Sequence, residues 1–365
     1  MDEARDIVKL ALPFAAGILT ISCLQLSHRH VSEIAFLSSA AVAAAMIHLL
    51  YCIERRKPVH ISAILAMAFM AGVLVRATGD ILDISRPATP GILQAADRLG
   101  RLMQESIDRI PFTDSTTNAV IKALITGERS DIPKEITAAF RNSGASHILA
   151  LSGLHSGIIY LVISRLLSVL GNTRRAKVCR SLIIVLLCTV YSLATGAGAS
   201  ITRALIFIII RETALMTYRK ADLKTVFAGS LLIHLALFPQ DASSVGFQLS
   251  YAAIAGIAWI HPHLKAMWPD DGDAVPIMKR VWESASVSIS CQLTTGPLAW
   301  FYFGTFPEYF ILTNLIAIPL TSAIIPAALL TVLLSGMGIC PEILVTATET
   351  AVEHLCSALE IISGM

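Results

Sequence analysis

Ionisable side chains embedded in apolar sequence are the residues of this chain best placed to do chemistry. A charged group at the centre of a bilayer costs roughly 2.5 to 3.5 kcal/mol on insertion scales, so it is kept where a polar interior receives it. The densest stretch of this kind runs Phe140-Arg141-Asn142-Ser143-Gly144 and continues as Ser146-His147-Ile148-Leu149-Ala150-Leu151-Ser152-Gly153-Leu154-His155. His147, Leu151 and His155 are four apart, so one continuous helix puts both imidazoles on a single face with Ser152 beside them. Two polar rings near a membrane entrance suit the lining of a hydrated path. Bonding to neighbouring helices across Gly153 and Gly157 accounts for the same residues in structural terms.

A second set is Tyr191-Ser192-Leu193-Ala194-Thr195-Gly196-Ala197-Gly198-Ala199-Ser200-Ile201-Thr202-Arg203-Ala204. Gly196 and Gly198 are expected to break a helix at membrane depth, and irregular backbone survives there only where protein or water surrounds it. Arg203 and Arg211 follow, eight apart on one helix face, where two guanidiniums could steady successive phosphates. Snorkelling to the interface is the plain alternative for Arg211. A third set, Gly246-Phe247-Gln248-Leu249-Ser250-Tyr251, opens a span just after Pro239. Gln248 and Tyr251 supply donors at three-residue spacing, for an interhelical bond or for a bound substrate.

The elements that hold these groups are dictated by composition. Of 365 residues, 55% are hydrophobic and 15% charged. Mean hydropathy is +0.69. An ordinary soluble domain carries about 25% charge, so a soluble enzyme is excluded and an all-α, polytopic membrane protein is expected. At about 20 residues per crossing, apolar stretches lie at about 8–26, 34–53, 59–75, 147–170, 181–195, 201–218, 225–238, 246–261 and 285–303. The apolar run after Glu308, cut by Pro319 and Pro326, reads as one broken span or two short ones. The last segment carries Glu349, Glu353 and Glu360 and reads as interfacial or transmembrane. The expectation is about nine to eleven transmembrane helices with one broken helix. In segments, this gives an amino-terminal membrane segment of about three spans over 1–75, an extracytoplasmic part over 76–146, a membrane core over 147–340 and a final helix over 341–365.

Basic loop residues set the orientation. Arg55, Arg56 and Lys57, then Arg174, Arg175, Lys177 and Arg180, then Arg219, Lys220 and Lys224 fall on one side if each stretch crosses once. That side is expected to be the cytoplasm, with a cytoplasmic amino terminus retained as a first span. The long polar segment opens with Pro87, Pro90 and Gly91. It continues with Leu93, Leu99, Leu102, Met103, Ile107 and Ile110 at helical spacing, opposite Arg98, Arg101, Glu105 and Asp108. The expected form is an amphipathic surface helix. Two short helices should follow, at about 115–126 and from Asp131-Ile132-Pro133 to Gly144, as an external hairpin packed over the next span.

A net charge of +2 creates no global field for nucleic acid, so attraction for an anion must be local. The seven cysteines are scattered, with no C-x-x-C pair, and read as packing thiols. Neither H-E-x-x-H, a P-loop nor G-x-G-x-x-G occurs. Ser152 and His155 could pair as nucleophile and base, but the 147–170 stretch holds no acid to orient them. The chain is therefore expected to be no enzyme, with no metal and no cofactor. His261-Pro-His263 is followed by Leu264-Lys265 and makes no metal motif.

The blocks Ala123-Leu-Ile-Thr-Gly-Glu-Arg-Ser130, Phe140 to His155, Thr195 to Ala204 and Gly246 to Ser250, in this order, resemble the membrane core of the ComEC-type DNA internalisation family of competence proteins. The resemblance covers about 115–340. It implies an inner-membrane channel that passes single-stranded DNA into the cytoplasm during natural transformation. By position it implies that Arg141, His147, Ser152, His155, Ser200, Arg203, Gln248 and Ser250 form the pore or its frame, and Arg211 joins them on the residue reading. Family members commonly add an OB-type β-barrel and a metallo-β-lactamase-like nuclease. The 76–146 segment is too short and helical for the first, and the H-x-H-x-D-H motif of the second is absent from this sequence. The implied partners are single-stranded DNA, the lipid bilayer, and separate nuclease and DNA-receptor proteins, with a homo-oligomer open. The alternatives are a transporter of a small anionic solute, which a broken helix beside arginine also suits, and an inactive truncated relative.

Overall fold

The computed structural model describes residues 2–24, 28–54, 61–81, 90–171, 173–217, 222–268, 276–304 and 306–364, and these are all-helical with short connections. Arg55, Arg56, Lys57, Pro87, Arg219 and Lys220 lie outside the described residues. The helices are α1 (Asp2–Cys23), α2 (His28–Glu54), α3 (Ile61–Ile81), α4 (Pro90–Asp108), α5 (Ser115–Thr126), α6 (Lys134–Asn142), α7 (Ser146–Leu149) and α8 (Gly153–Leu166). They continue with α9 (Arg174–Ala194), α10 (Ala199–Met216), α11 (Leu223–Leu237), α12 (Val245–Ala255), α13 (His261–Lys265), α14 (Pro276–Phe303), α15 (Phe310–Gly336) and α16 (Glu342–Ser363). The apolar run after Glu308 is one helix, α15, with Pro319 and Pro326 inside it. Among the described residues three stretches are long and apolar enough to cross a membrane: Gly153–Leu170, Arg174–Ala194 and Phe310–Gly336. Shorter apolar helices occupy Ile7–Cys23, Ile34–Met46, Ile64–Gly79 and Leu223–Leu237.

The chain divides into two units, one of residues 1–89 with 206–251 and one of 90–205 with 252–365. In the first unit α1 packs on α3 and α11, and α2 on α3. The α1–α3 contact is set by two glycines. A Cβ on Gly17 would strike the Phe69 carbonyl oxygen, and one on Gly72 would strike that of Phe14. With hydrogen at both positions, the two backbones approach as small-residue contacts do in lipid, where close packing replaces the hydrophobic drive.

The second unit is built around α5. Eight of its residues, from Thr117 to Thr126, are buried. The apolar ones among them join Phe140 of α6, Ile148 of α7, Ile158 of α8, Ile324 and Ile325 of α15, and Val352, Leu355 and Leu359 of α16 in one core. α5 is the centre of this core, covered by α8, α15 and α16 as well as by its own neighbours α6 and α7, because its apolar residues are not confined to one stripe and need cover all round. Asp114 caps its start by accepting from Thr116 N–H at 3.0 Å, and Gly127, at φ 83°, ends it. Glu349 of α16 reinforces that start, accepting from Thr113 N–H at 2.7 Å and Asp114 N–H at 2.8 Å. Lys122, on the same helix, bridges Asp108 at 2.7 Å and Asp131 at 2.9 Å. Burial works to lower the lysine's pKa, but the two carboxylates prevail and raise it, while Lys122 holds Asp131 below the usual carboxylate range.

Candidate functional site

The helix expected to begin at His147 begins at Gly153 instead. α7 is a single turn ending at Leu149, and Ala150 (ψ 126°) and Ser152 (ψ 175°) are extended. His147 and His155 are thus on two helices and do not share one helix face, a correction with a local cause. Ser152 and His155 form an N-terminal capping box. Ser152 Oγ accepts from Leu154 N–H at 3.2 Å, and Ser152 N–H donates to His155 Nδ1 at 3.2 Å. Each satisfies a backbone donor that a helix start leaves open. Histidine here does what glutamate or glutamine usually does at the third position.

The box fixes the imidazole. Since Nδ1 accepts a backbone N–H, the proton of the neutral ring sits on Nε2. His155 has no exposed surface, and its Nε2 has no hydrogen-bond partner among the described residues. Ser152 Oγ stands 3.0 Å from the same Nδ1. That is nucleophile-to-base distance, yet no carboxylate meets the far ring nitrogen, and no group of three or more His, Cys, Asp or Glu side chains gathers among the described residues.

The helix break brings Arg203 to this turn. α9 ends at Ala194. Gly196 follows at φ 81° and Ala197 at φ 44°, and α10 starts at Ala199. Glycine adopts the left-handed region freely, whereas Ala197 must be held there by its surroundings. Ala197 N–H donates to the Ser192 carbonyl at 2.8 Å, and Thr202 Oγ1 donates to the Ala197 carbonyl at 3.0 Å, so the bend is bonded on both sides. One turn later the buried Arg203 guanidinium lies on Gly153: a Cβ there would collide with Arg203 Nη2. Glycine in the S-G-L-H block is therefore the seat of the arginine. A guanidinium at the positive end of a helix dipole concentrates like charge in a place with little solvent, an arrangement that an anion stabilises.

Other buried polar atoms occur on α8, α14 and α15. Ser156 Oγ of α8, Gln292 Nε2 of α14, and Asn314 Oδ1 and Thr321 Oγ1 of α15 have no hydrogen-bond partner among the described residues. α15 packs on both α8 and α14. Buried polar groups in folded proteins are nearly always bonded, to protein or to ordered water, so four such atoms on packed helices mark an interior suited to water or to a polar ligand.

His147 lies close enough to His155 for the two rings to interact electrostatically. Arg141 is exposed in the last turn of α6, and His147 is exposed with Nδ1 3.1 Å from the Gly144 carbonyl. Ser200 is half-buried in the first turn of α10, and Gly198 is exposed in the bend. Arg211, Gln248 and Ser250 belong to the first unit. Arg211 is exposed, Ser250 half-buried, and Gln248 Nε2 closes its own turn by donating to the Ala242 carbonyl at 3.0 Å. Tyr251 makes the interhelical contact, with its hydroxyl 3.4 Å from His234 Nδ1 of α11. Sequence reading passed over His234 and Asp241, which are buried and 3.1 Å apart. A lone histidine and a lone aspartate on either side of Pro239, in apolar sequence, were the available signal.

Residues 124–365 match the family model described as Competence protein. ComE operon protein 3 of Bacillus subtilis (strain 168) is 26% identical over 234 residues, 63% of this chain and 28% of that protein. Recombination protein 2 of Haemophilus influenzae (strain ATCC 51907 / DSM 11121 / KW20 / Rd) is 26% identical over 225 residues, 59% of this chain and 28% of that protein. An uncharacterized protein of Aquifex aeolicus (strain VF5) is 28% identical over 149 residues, 39% of this chain and 33% of that protein. The matched stretch thus spans a third or less of each relative. No solved structure matches. The family model takes in Arg141, the capping box, the bend after Ala194, Arg203 and the Gly246–Ser250 block, well over half of the chain, and the chain belongs to the competence protein family.

Proposed function

We propose that this chain forms a channel in the inner membrane through which a single DNA strand passes into the cytoplasm, with about nine to eleven spans and a cytoplasmic amino terminus. Family membership supports a role in DNA uptake. The observation that carries the finer reading is the Arg203 guanidinium seated on Gly153 at the start of α8, beside the buried His155. A DNA strand presents one negative phosphate per nucleotide, and binding without sequence preference rests on cationic contact to that backbone. Arg203 is the phosphate contact in this reading, and the capping box and glycine-set bend hold it in place. Ser152 and His155 act as the frame, not as nucleophile and base, since the ring lacks an orienting acid. The strand opposite the imported one is degraded by a separate nuclease, and a separate receptor delivers the DNA.

The test is Arg203→Ala in a transformable host that lacks its own copy. Labelled-DNA uptake is expected to be lost while insertion and abundance hold. Normal uptake at normal abundance would sink the reading. A vesicle assay with purified protein, setting single-stranded DNA against a panel of small anionic metabolites, separates a DNA channel from a solute carrier: selective flux of a metabolite favours the carrier.

A further inference from the structure

Two consecutive stretches of the second unit are long and apolar enough to cross a membrane, Gly153–Leu170 and Arg174–Ala194. The place where one ends and the next begins therefore belongs where a bilayer meets water, at headgroup depth. Apolar side chains face outward there: Val169 is 89% exposed, Leu166 60% and Leu170 48%. Beside them stand Arg165, Arg174 and Arg175, all exposed, and the half-buried Arg180. No aspartate or glutamate occurs between Glu135 and Glu212. α15, which packs on α8, has no charged residue. α4 meets α9 at its other end, where a Cβ on Gly100 would strike the Ala194 carbonyl oxygen. Among the described residues none of the four arginines forms a salt bridge.

Arg174, Lys177 and Arg180 run at three-residue spacing along α9. Like charges so spaced repel one another, and the helix dipole adds to the cost at this end. Thr173, a neutral residue, caps the helix by accepting from Ala176 N–H at 3.2 Å, and no carboxylate stands in the first turn to offset either repulsion. Membrane orientation accounts for cations on one side of a bilayer, but a loop would serve it as well as the first turns of a helix. An anionic surface offsets both costs. At about 1.5 Å of rise per residue, Arg174 and Arg180 differ in depth by about 9 Å, so the guanidiniums can grip phosphate at two levels while the leucines and valine lie against acyl chains. A nucleic-acid strand would call for aromatic faces as well, and the sequence holds none between Tyr160 and Tyr191. We propose that this patch binds an anionic phospholipid, with its headgroup held by Arg165, Arg174, Arg175 and Arg180 and its acyl chains along Leu166, Val169 and Leu170.

DNA plays no part in the lipid assay, so its outcome is separate from that of the channel reading. The full-length protein in detergent is equilibrated with equal amounts of phosphatidylglycerol and phosphatidylcholine, and the lipid it retains is identified by native mass spectrometry. Retention of phosphatidylglycerol should exceed that of phosphatidylcholine by about tenfold, and Arg165→Gln, Arg174→Gln, Arg175→Gln and Arg180→Gln together should reduce the preference to about twofold or less. A control that removes four exposed cations elsewhere, Arg98→Gln, Arg101→Gln, Arg129→Gln and Lys134→Gln, should leave the preference intact. Should the fourfold variant fail to insert, Arg174→Gln with Arg175→Gln should still lower the preference roughly threefold. A preference untouched by these changes, or lost equally in the control, would overturn the proposal. So would equal retention of both lipids by a protein that holds a single-stranded oligonucleotide through the same four arginines, which would assign the patch to DNA.

Discussion

At the scale of single residues, the proposed phosphate contact turns on what stands next to a glycine. Gly153 has room for no side chain because Arg203 occupies the space. The colliding atom is the far end of a flexible side chain, so Gly153→Ala should displace the guanidinium instead of unfolding the helix. Its expected signature is a roughly tenfold loss of DNA uptake, equivalent to about 1.4 kcal/mol of lost phosphate contact, at unchanged protein abundance. A parallel loss of abundance would mean that Gly153 serves folding alone. The contrast is with Gly17 and Gly72, where the obstructing atoms are backbone carbonyls that cannot swing away. The sequence marks all three glycines alike; only the identity of the neighbouring atom separates the seat of a guanidinium from a backbone packing contact.

At the scale of elements, α5 is held at its first turn by a carboxylate from a distant part of the chain. Glu349 accepts two backbone N–H bonds there and lies 3.3 Å from Thr113 Oγ1. An anion beside the N-terminus of a helix also meets the favourable end of its dipole. Glu349→Ala leaves these donors without their acceptor and should cost about 2 to 3 kcal/mol, read as a lower midpoint of thermal unfolding in detergent. Glu349→Gln keeps one carbonyl oxygen and should cost less. Equal midpoints for all three proteins would show that the contact contributes nothing to stability. A short helical pattern closed by Gly127 made α5 legible as a helix. Its place in the core was not, because hydrophobic pattern reports how much of a surface must be covered and is silent about which helix covers it. For the same reason, the run from His147 to Leu170 reads as one helix until the capping box is seen to begin it at Gly153.

At the scale of the whole molecule, the sequence settles the solvent and leaves the path open. The cysteines of the described residues are free, and Cys179 is exposed in the first turns of α9 beside Arg174, Arg175 and Arg180. On the charge-based orientation this end faces the cytoplasm. An impermeant maleimide should therefore leave Cys179 unlabelled in intact spheroplasts, in a variant with the other six cysteines removed, and label it after permeabilisation. Labelling before permeabilisation would reverse the orientation. What the sequence determined by itself was the membrane class, the helical character, the family blocks and the glycine-marked break after Ala194, because composition and short-range backbone preference are properties of contiguous residues. Only the tertiary structure decided that Arg203 rests on Gly153, that Glu349 caps α5, and that His234 finds Asp241 and Tyr251. These pairings join residues on separate elements, and their energy comes from burial and hydrogen-bond geometry that exists only once the helices have packed.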